Sequence, residues 1–183
     1  ARISPRKNQL ALVRATRGLG FPVVFIGPVN DPFYLEACRK EADQSHHFLG
    51  FMPQTQLGSA YAAARVHVLP SWFETPGLAS LEAALAGCNI VSTDRGTARE
   101  YFGDLAWYCD PADVGSIREA VTAAYRAPRR RELAAVVRTR FTWERAARET
   151  AEAYAQVLAG SGRGRWGPGA AAPRGRIQGS SRE

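Results

Sequence analysis

Five short apolar runs, each bounded by Gly, Pro or polar residues, alternate with stretches of helical composition between Asn8 and Ala127. The runs are Phe21–Pro28, His47–Phe51, Arg65–Pro70, Asn89–Thr93 and Leu105–Cys109. Apolar composition that is nearly continuous over so few residues marks strands covered on both faces. The helical stretches are Asn8–Gly18, Pro32–Asp43, Gln54–Ala64, Gly77–Ala86, the short Thr97–Phe102 and Pro111–Ala127, with Gly18 and Gly87 placed as helix stops. Strands separated by helices in this way are joined by right-handed crossovers, which makes the sheet parallel and puts helices on both faces.

The expectation is therefore an α/β fold: a Rossmann-like, doubly wound parallel sheet followed by two terminal helices between Arg129 and Leu158, where strand signals stop. A chain of 183 residues, 45% of them hydrophobic, supports one domain with a sizeable core and not two full ones. That domain is placed at residues 1–159, and residues 160–183 read as a basic Gly/Arg/Pro-rich flexible tail with too little apolar surface to order itself. The sequence opens at Ala1 with neither Met nor an apolar leader, and the expectation is a piece of a longer protein. No apolar run approaches the ~20 residues of a membrane-spanning helix. Cys38, Cys88 and Cys109 are odd in number, far apart and free of any Cys-x-x-Cys spacing, so neither a disulfide framework nor a zinc site is expected, and a cytoplasmic setting is.

In open parallel sheets the ligand sits beyond the carboxyl ends of the strands. The post-strand loop and helix from Leu69 to Gly87 carry the most chemistry: Glu74 in the loop, Gly77 at a helix entrance, Glu82 just over one turn into that helix. Free amides at Gly77, Leu78 and Ala79, together with the positive end of the helix dipole, favour a phosphate there. An ionised Glu82 can accept from both hydroxyls of a ribose, and Glu74 can hold hydroxyls of whatever the diphosphate carries. Spacing alone does not carry this reading, because Glu144 and Glu152 share the interval and are read as a solvated helix face.

In this context the chain resembles the retaining, nucleotide-sugar-dependent glycosyltransferases of the GT-B fold, specifically the large group called family 4, over roughly residues 2–158. The Glu-x7-Glu motif of that family matches Glu74 and Glu82; Arg2-Ile-Ser-Pro-Arg-Lys7-Asn looks like its Gly-Arg-x4-Lys stretch; Gly87 to Glu100 looks like the strand and loop that follow; Phe141-Thr-Trp143 with Tyr154 looks like its closing helix. The resemblance implies that Arg2 and Lys7 neutralise the donor diphosphate, that Glu74 holds the sugar and Glu82 the ribose, and that backbone groups of Phe51 and Met52 lie near the base. It implies the C-terminal, donor-binding half of a hexosyltransferase, with a nucleotide-diphosphate sugar as substrate, no separate cofactor, no metal, and acceptor contacts in an N-terminal half. Polysaccharide or glycolipid synthesis is the implied setting.

The formal charge of +7 opens nucleic acid, an anionic membrane and a phosphate-rich ligand as partners. Residues 1–125 hold 11 basic and 12 acidic side chains, 126–159 hold 8 and 4, and 160–183 hold 5 and 1. The excess therefore belongs to the terminal helices and tail, which argues against nucleic acid and leaves peripheral contact with an anionic membrane as its use. A non-catalytic nucleotide-binding or interaction module of the same fold is the alternative. A nicotinamide-dependent oxidoreductase is opposed by the missing Gly-rich turn after the first strand. Bland readings are assigned to His67 (a satisfied core residue), His46 and His47 (facing solvent), Cys88 and Cys109 (small buried hydrophobes), Trp72 and Phe73 (packed beside the loop, with shaping of the sugar pocket as the alternative), and Glu100 (a cap or a bridge near Arg95 and Arg99).

Overall fold

The computed structural model describes residues 1–75 and 77–161, so most of the expected tail lies outside the described residues. The chain divides into two compact units, Ala1–Thr142 and a second beginning at Trp143. In the first, a 3₁₀ turn at Pro5–Lys7 leads into α1 (Gln9–Thr16), β1 (Val23–Ile26), α2 (Pro32–Glu41), β2 (His46–Gly50), α3 (Gln54–Ala63), β3 (Val66–Leu69), α4 (Leu78–Leu85), β4 (Asn89–Thr93), α5 (Ala98–Phe102), β5 (Trp107–Cys109), α6 (Val114–Arg126) and α7 (Arg131–Arg140). The second unit contributes α8 (Trp143–Ser161), along which Arg145 Nε donates to Glu149 Oε1 at 2.6 Å.

All strand pairing is parallel, as the alternation of elements requires. The expected parallel α/β architecture is present, its strands in two sets: among the described residues β1 pairs with β2, and β3, β4 and β5 form a second sheet. What joins the two is the segment ahead of α1. Ile3 runs parallel to Val29, with its N–H on the Pro28 carbonyl at 2.9 Å and its own carbonyl accepting from Asn30 at 3.1 Å, while the Arg6 carbonyl accepts from Trp72 N–H at 3.0 Å.

One apolar core gathers Leu12 and Val13 of α1, Phe25 of β1, Val91 of β4, and Ile117 and Val121 of α6; a second gathers Leu81, Ile90, Phe102, Leu133 and Val137. Thus α1 lies against α6, a contact reinforced where Arg118 donates to the Ala15 carbonyl at 2.9 Å. Asp31 and Asp113 cap α2 and α6 by accepting from the N–H groups of Tyr34 and Gly115. The three cysteines are free and buried, so Cys88 and Cys109 occupy the apolar interior as expected.

Three sequence expectations change. His46 is buried, not solvent-facing: its Nε2 lies 2.9 Å from Thr16 Oγ1 and its Nδ1 2.9 Å from Asp43 Oδ1. Trp72 and Phe73 are 44% and 50% exposed, so they do not pack away beside the loop. Glu100 bridges neither arginine: Arg95 pairs with Asp110 at 2.8 Å, and Arg99 lies over the Tyr108 ring at 4.0 Å.

Asn89 has a structural role that its position in an apolar run conceals. Fully buried at the start of β4, it donates from Nδ2 to the Ala124 carbonyl at 2.8 Å and accepts on Oδ1 from the Arg130 N–H at 3.1 Å. It therefore ties the end of α6 and the approach to α7 to the sheet. Replacing it with Leu strands these buried groups, and a loss of about 2–3 kcal/mol is expected in denaturant melts; an unchanged midpoint would show that the tie contributes nothing.

Candidate functional site

Lys7 and Glu74 are far apart in sequence and meet in space: Nζ lies 2.7 Å from Oε2, with the side chains 19% and 9% exposed. Local backbone geometry fixes each of them. Lys7 ends the 3₁₀ turn, its N–H on the Ser4 carbonyl, and the next residue, Asn8, takes a left-handed φ of 58° and anchors its Nδ2 on the buried Pro111 carbonyl at 2.8 Å. Glu74 runs parallel to Gly96, with its N–H on the Arg95 carbonyl at 3.3 Å and its carbonyl accepting from Thr97 at 3.0 Å. The approach is so close that a Cβ on Gly96, at φ +99°, would stand 2.0 Å from the Glu74 carbonyl oxygen.

Gly77 caps α4 at φ +54°, a conformation in which glycine is favoured, and its carbonyl accepts from Ser80 and Leu81. The N–H groups of Leu78 and Ala79 stand in the first turn, which intrahelical bonding leaves open. Four residues on, Glu82 Oε1 accepts from Gln54 Nε2 at 3.0 Å. Burial, and then the neighbouring Glu82 carboxylate, push the Tyr61 hydroxyl up to about 12.

A cavity of about 910 Å³ opens here, with Arg2, Lys7, Phe51, Met52, Ala79 and Glu82 in its lining. Arg2 makes no ion pair among the described residues, and its backbone carbonyl is held by Gln9 Nε2 at 2.7 Å. Phe51 is 73% exposed at the rim. Of the residues picked from sequence, Arg2, Lys7, Phe51, Met52, Ala79 and Glu82 line one cavity; Gly77 and Leu78 are not in its lining, and Glu74 is linked to it through its pairing with Lys7. No cluster of three or more His, Cys, Asp or Glu side chains among the described residues is arranged to hold a metal ion. Sequence reading missed Gln54, Tyr61, Asn8 and Gly96. The last two have backbone roles visible only once φ and close approach are known.

His67 lines the same cavity, and the expectation that it is satisfied is corrected: its Nε2 is buried with no hydrogen-bond partner, and the ring meets Tyr61 edge-on at 5.7 Å. Burial, with the Ala1 amine and Lys7 adding to it, pulls His67 down to about 3. The ring is neutral in the fold, while an unfolded chain protonates it below about 6.5. Stability is therefore lost as pH falls from about 6.5 towards 3, by up to about 1.4 kcal/mol per pH unit. Melts of His67→Leu should show a flatter acid limb than the parent; parallel limbs would refute the assignment.

These elements define an α/β domain of the kind found in GT-B glycosyltransferases. Residues 1–139 match the model of the family described as glycosyl transferases group 1, and the chain belongs to that family. It is 29% identical over 165 residues to the O-antigen chain mannosyltransferase B of Escherichia coli, covering 83% of this chain and 43% of that protein. It is 31% identical over 150 residues to a glycogen synthase of Mycobacterium tuberculosis, covering 78% and 36%. The solved structure of HepE of Anabaena in complex with UDP and glucose superposes with a TM-score of 0.68 at 19% identity, over 85% of this chain and 47% of that one. The chain thus spans less than half the length of these relatives. No helix among the described residues is long and apolar enough to cross a membrane.

Proposed function

We propose that this chain holds the nucleotide-diphosphate sugar of a retaining, metal-independent hexosyltransferase and that a second, N-terminal domain presents the acceptor. The observation that carries this is the Lys7–Glu74 pair set beside the open start of α4, with Lys7 and Ala79 in the lining of the cavity. An ammonium has three donors, so Lys7 can keep Glu74 and still donate to diphosphate oxygens. As the glycosidic bond breaks, the departing nucleoside diphosphate gains negative charge, which Lys7, Arg2 and the amides of Leu78 and Ala79 stabilise without a metal. Glu74 holds a sugar hydroxyl near the reacting carbon, Glu82 accepts from the ribose, and the base lies against the backbone at Phe51 and Met52. The complexes of HepE with UDP, and the sugar-transferring relatives, support this reading. A cytoplasmic setting, with the basic C-terminal stretch at an anionic membrane face, belongs to the same proposal.

Calorimetric titration of the 183-residue chain with UDP, GDP and ADP tests it. Binding of at least one, weakened by Glu82→Ala, is the expected result, with little sugar transfer by the chain alone. No binding to any of the three, or robust turnover without a second domain, would overturn the proposal. A non-catalytic module is the outcome if Glu74→Gln leaves transfer by the complete protein intact.

A further inference from the structure

Past Glu74, the carboxyl ends of β3, β4 and β5 carry a group of side chains to which sugar-donor binding gives no task. Trp72 and Phe73 follow β3, stand directly before Glu74 and are each about half exposed. Arg95 follows β4, its guanidinium carbon 5.4 Å from the centre of the Trp72 ring. Asp110 follows β5 and accepts from Arg95 Nη2 at 2.8 Å. The backbone beneath them is tied across all three strands. Trp72 donates its N–H to the Arg6 carbonyl at 3.0 Å, Glu74 to the Arg95 carbonyl at 3.3 Å, and Asp94 to the Cys109 carbonyl at 3.0 Å. Two neighbouring aromatic rings therefore stand in water on a fixed support.

Rings of this size gain by burial, and a pair of them left exposed side by side marks a contact surface. Polar groups border it. Arg95 and Asp110 are each 44% exposed in their side chains, and the guanidinium keeps donors beyond the one given to Asp110. Asp110 uses Oδ1 for its bonds from Arg95 and from the Ala112 N–H, which leaves Oδ2 open. Bonding from Ala112, and then the Arg95 charge, hold the Asp110 carboxyl below its ordinary value, so Oδ2 accepts at neutral pH. An apolar protein face laid on the rings would strip water from Arg95 and Asp110 without replacing its hydrogen bonds. A pyranose suits both parts of the surface. Its C–H face, positively polarised, packs on the negative face of an aromatic ring, while hydroxyls at its edge donate to a carboxylate and accept from a guanidinium.

The aromatic shelf also lies at one particular end of the donor. In the order already proposed, the base is at Phe51 and Met52, the ribose at Glu82, the diphosphate at Lys7 and the sugar at Glu74. Trp72 continues that order past the sugar, two residues from Glu74, a span of at most about 7 Å. We infer that Trp72 and Phe73 form a stacking shelf for a sugar ring of the acceptor, with Arg95 and Asp110 as hydrogen-bonding partners of its hydroxyls. The inference rests on the sugar-donor reading and extends it: the acceptor is a saccharide, and the donor-binding domain supplies part of its site.

Methyl α-D-mannopyranoside, methyl α-D-glucopyranoside and maltotriose are the probes. Each is titrated into the 183-residue chain held saturated with whichever of UDP, GDP and ADP it binds, while the Trp72 indole N–H and the Arg95 Nε–H are followed by NMR. At least one probe is expected to shift both signals along one saturating curve in the millimolar range. Trp72→Ala should weaken the curve read at Arg95 by about tenfold, and Trp72→Phe by about threefold or less, the range of one aromatic contact. Nucleotide affinity should hold in both. If Trp72→Ala does not fold, Arg95→Ala takes its place and should weaken the curve read at the Trp72 indole. No saturating shift from any probe while nucleotide is bound, or an unchanged curve in the folded alanine variant, overturns the inference and leaves the donor reading standing. Loss of nucleotide affinity in both Trp72 variants also overturns it, by returning the ring to the donor site. Failure of all three nucleotides to bind removes the donor reading, and the acceptor shelf falls with it. A dimer of the chain that Trp72→Phe dissolves would overturn it as well, assigning the rings to a second copy.

Discussion

Replacing Lys7 with Ala is expected to weaken nucleoside diphosphate binding by about 10- to 100-fold, the range of one or two charge-assisted hydrogen bonds, and also to destabilise the unliganded fold. The second effect follows from burial: the Glu74 side chain is 9% exposed, and without Lys7 its carboxylate loses its ion pair inside the protein. Breaking such a pair from one side costs about 3–5 kcal/mol when both charges are deeply buried; with Lys7 19% exposed, about 2–3 kcal/mol is the better expectation. The double variant Lys7→Ala, Glu74→Gln should recover much of the stability and none of the affinity. Chemical denaturation and calorimetry on the parent, Lys7→Ala, Glu74→Gln and the double variant separate the two effects. If the double variant regained nucleotide binding as well, Lys7 would matter only as the partner of Glu74, and its assignment to the diphosphate would fall.

Gly96→Ala is expected to be the more damaging of two glycine substitutions at positive φ. At Gly96 the new methyl would meet the Glu74 carbonyl oxygen at 2.0 Å and its carbonyl carbon at 2.9 Å, backbone atoms that cannot swing aside. At Gly103, also at positive φ (+50°), nothing lies within 4 Å. Gly103→Ala should cost only the backbone penalty of its φ +50°, ψ −132° conformation, about 1–3 kcal/mol. Gly96→Ala should cost about 3 kcal/mol or more, and should displace Glu74 from Lys7 as the strands part. Melting curves of both variants, with nucleotide titrations of whichever remain folded, check the contrast. Equal losses would mean that the close approach of Glu74 to Gly96 does not hold the site.

The α/β alternation was legible because its cue is local. Five apolar runs and their closing glycines or prolines report strand and helix without reference to partners, and the observed elements fall within a few residues of those read. The split between β1 and β3 was not, since pairing between strands distant in sequence depends on what fills the space between them, and periodicity carries no trace of that. His46 was misplaced for a related reason: a polar residue before a strand reads as solvent-facing, while Thr16 and Asp43 supply the partners that let it be buried. Among the candidate site residues, Glu74, Gly77 and Glu82 were readable from strand, loop and helix context. The Lys7–Glu74 contact spans 67 positions; the resemblance gave the two residues separate roles at one donor and said nothing of their pairing. Asn8 and Gly96 act through backbone conformation, which one sequence does not display.

The packing of α1 on α6 has a consequence for the order of events in synthesis. Asn8 holds the carbonyl of Pro111, 103 residues further on, and Leu12 and Val13 share their core with Ile117 and Val121. When the ribosome has delivered β1, β2 and β3, the inner face of α1 still has no α6 to cover it, and the nascent chain carries that apolar stripe exposed. Contacts of such long range close late and slow the search for the native state. The core that α1 and α6 share can therefore close only once the sixth helix has emerged.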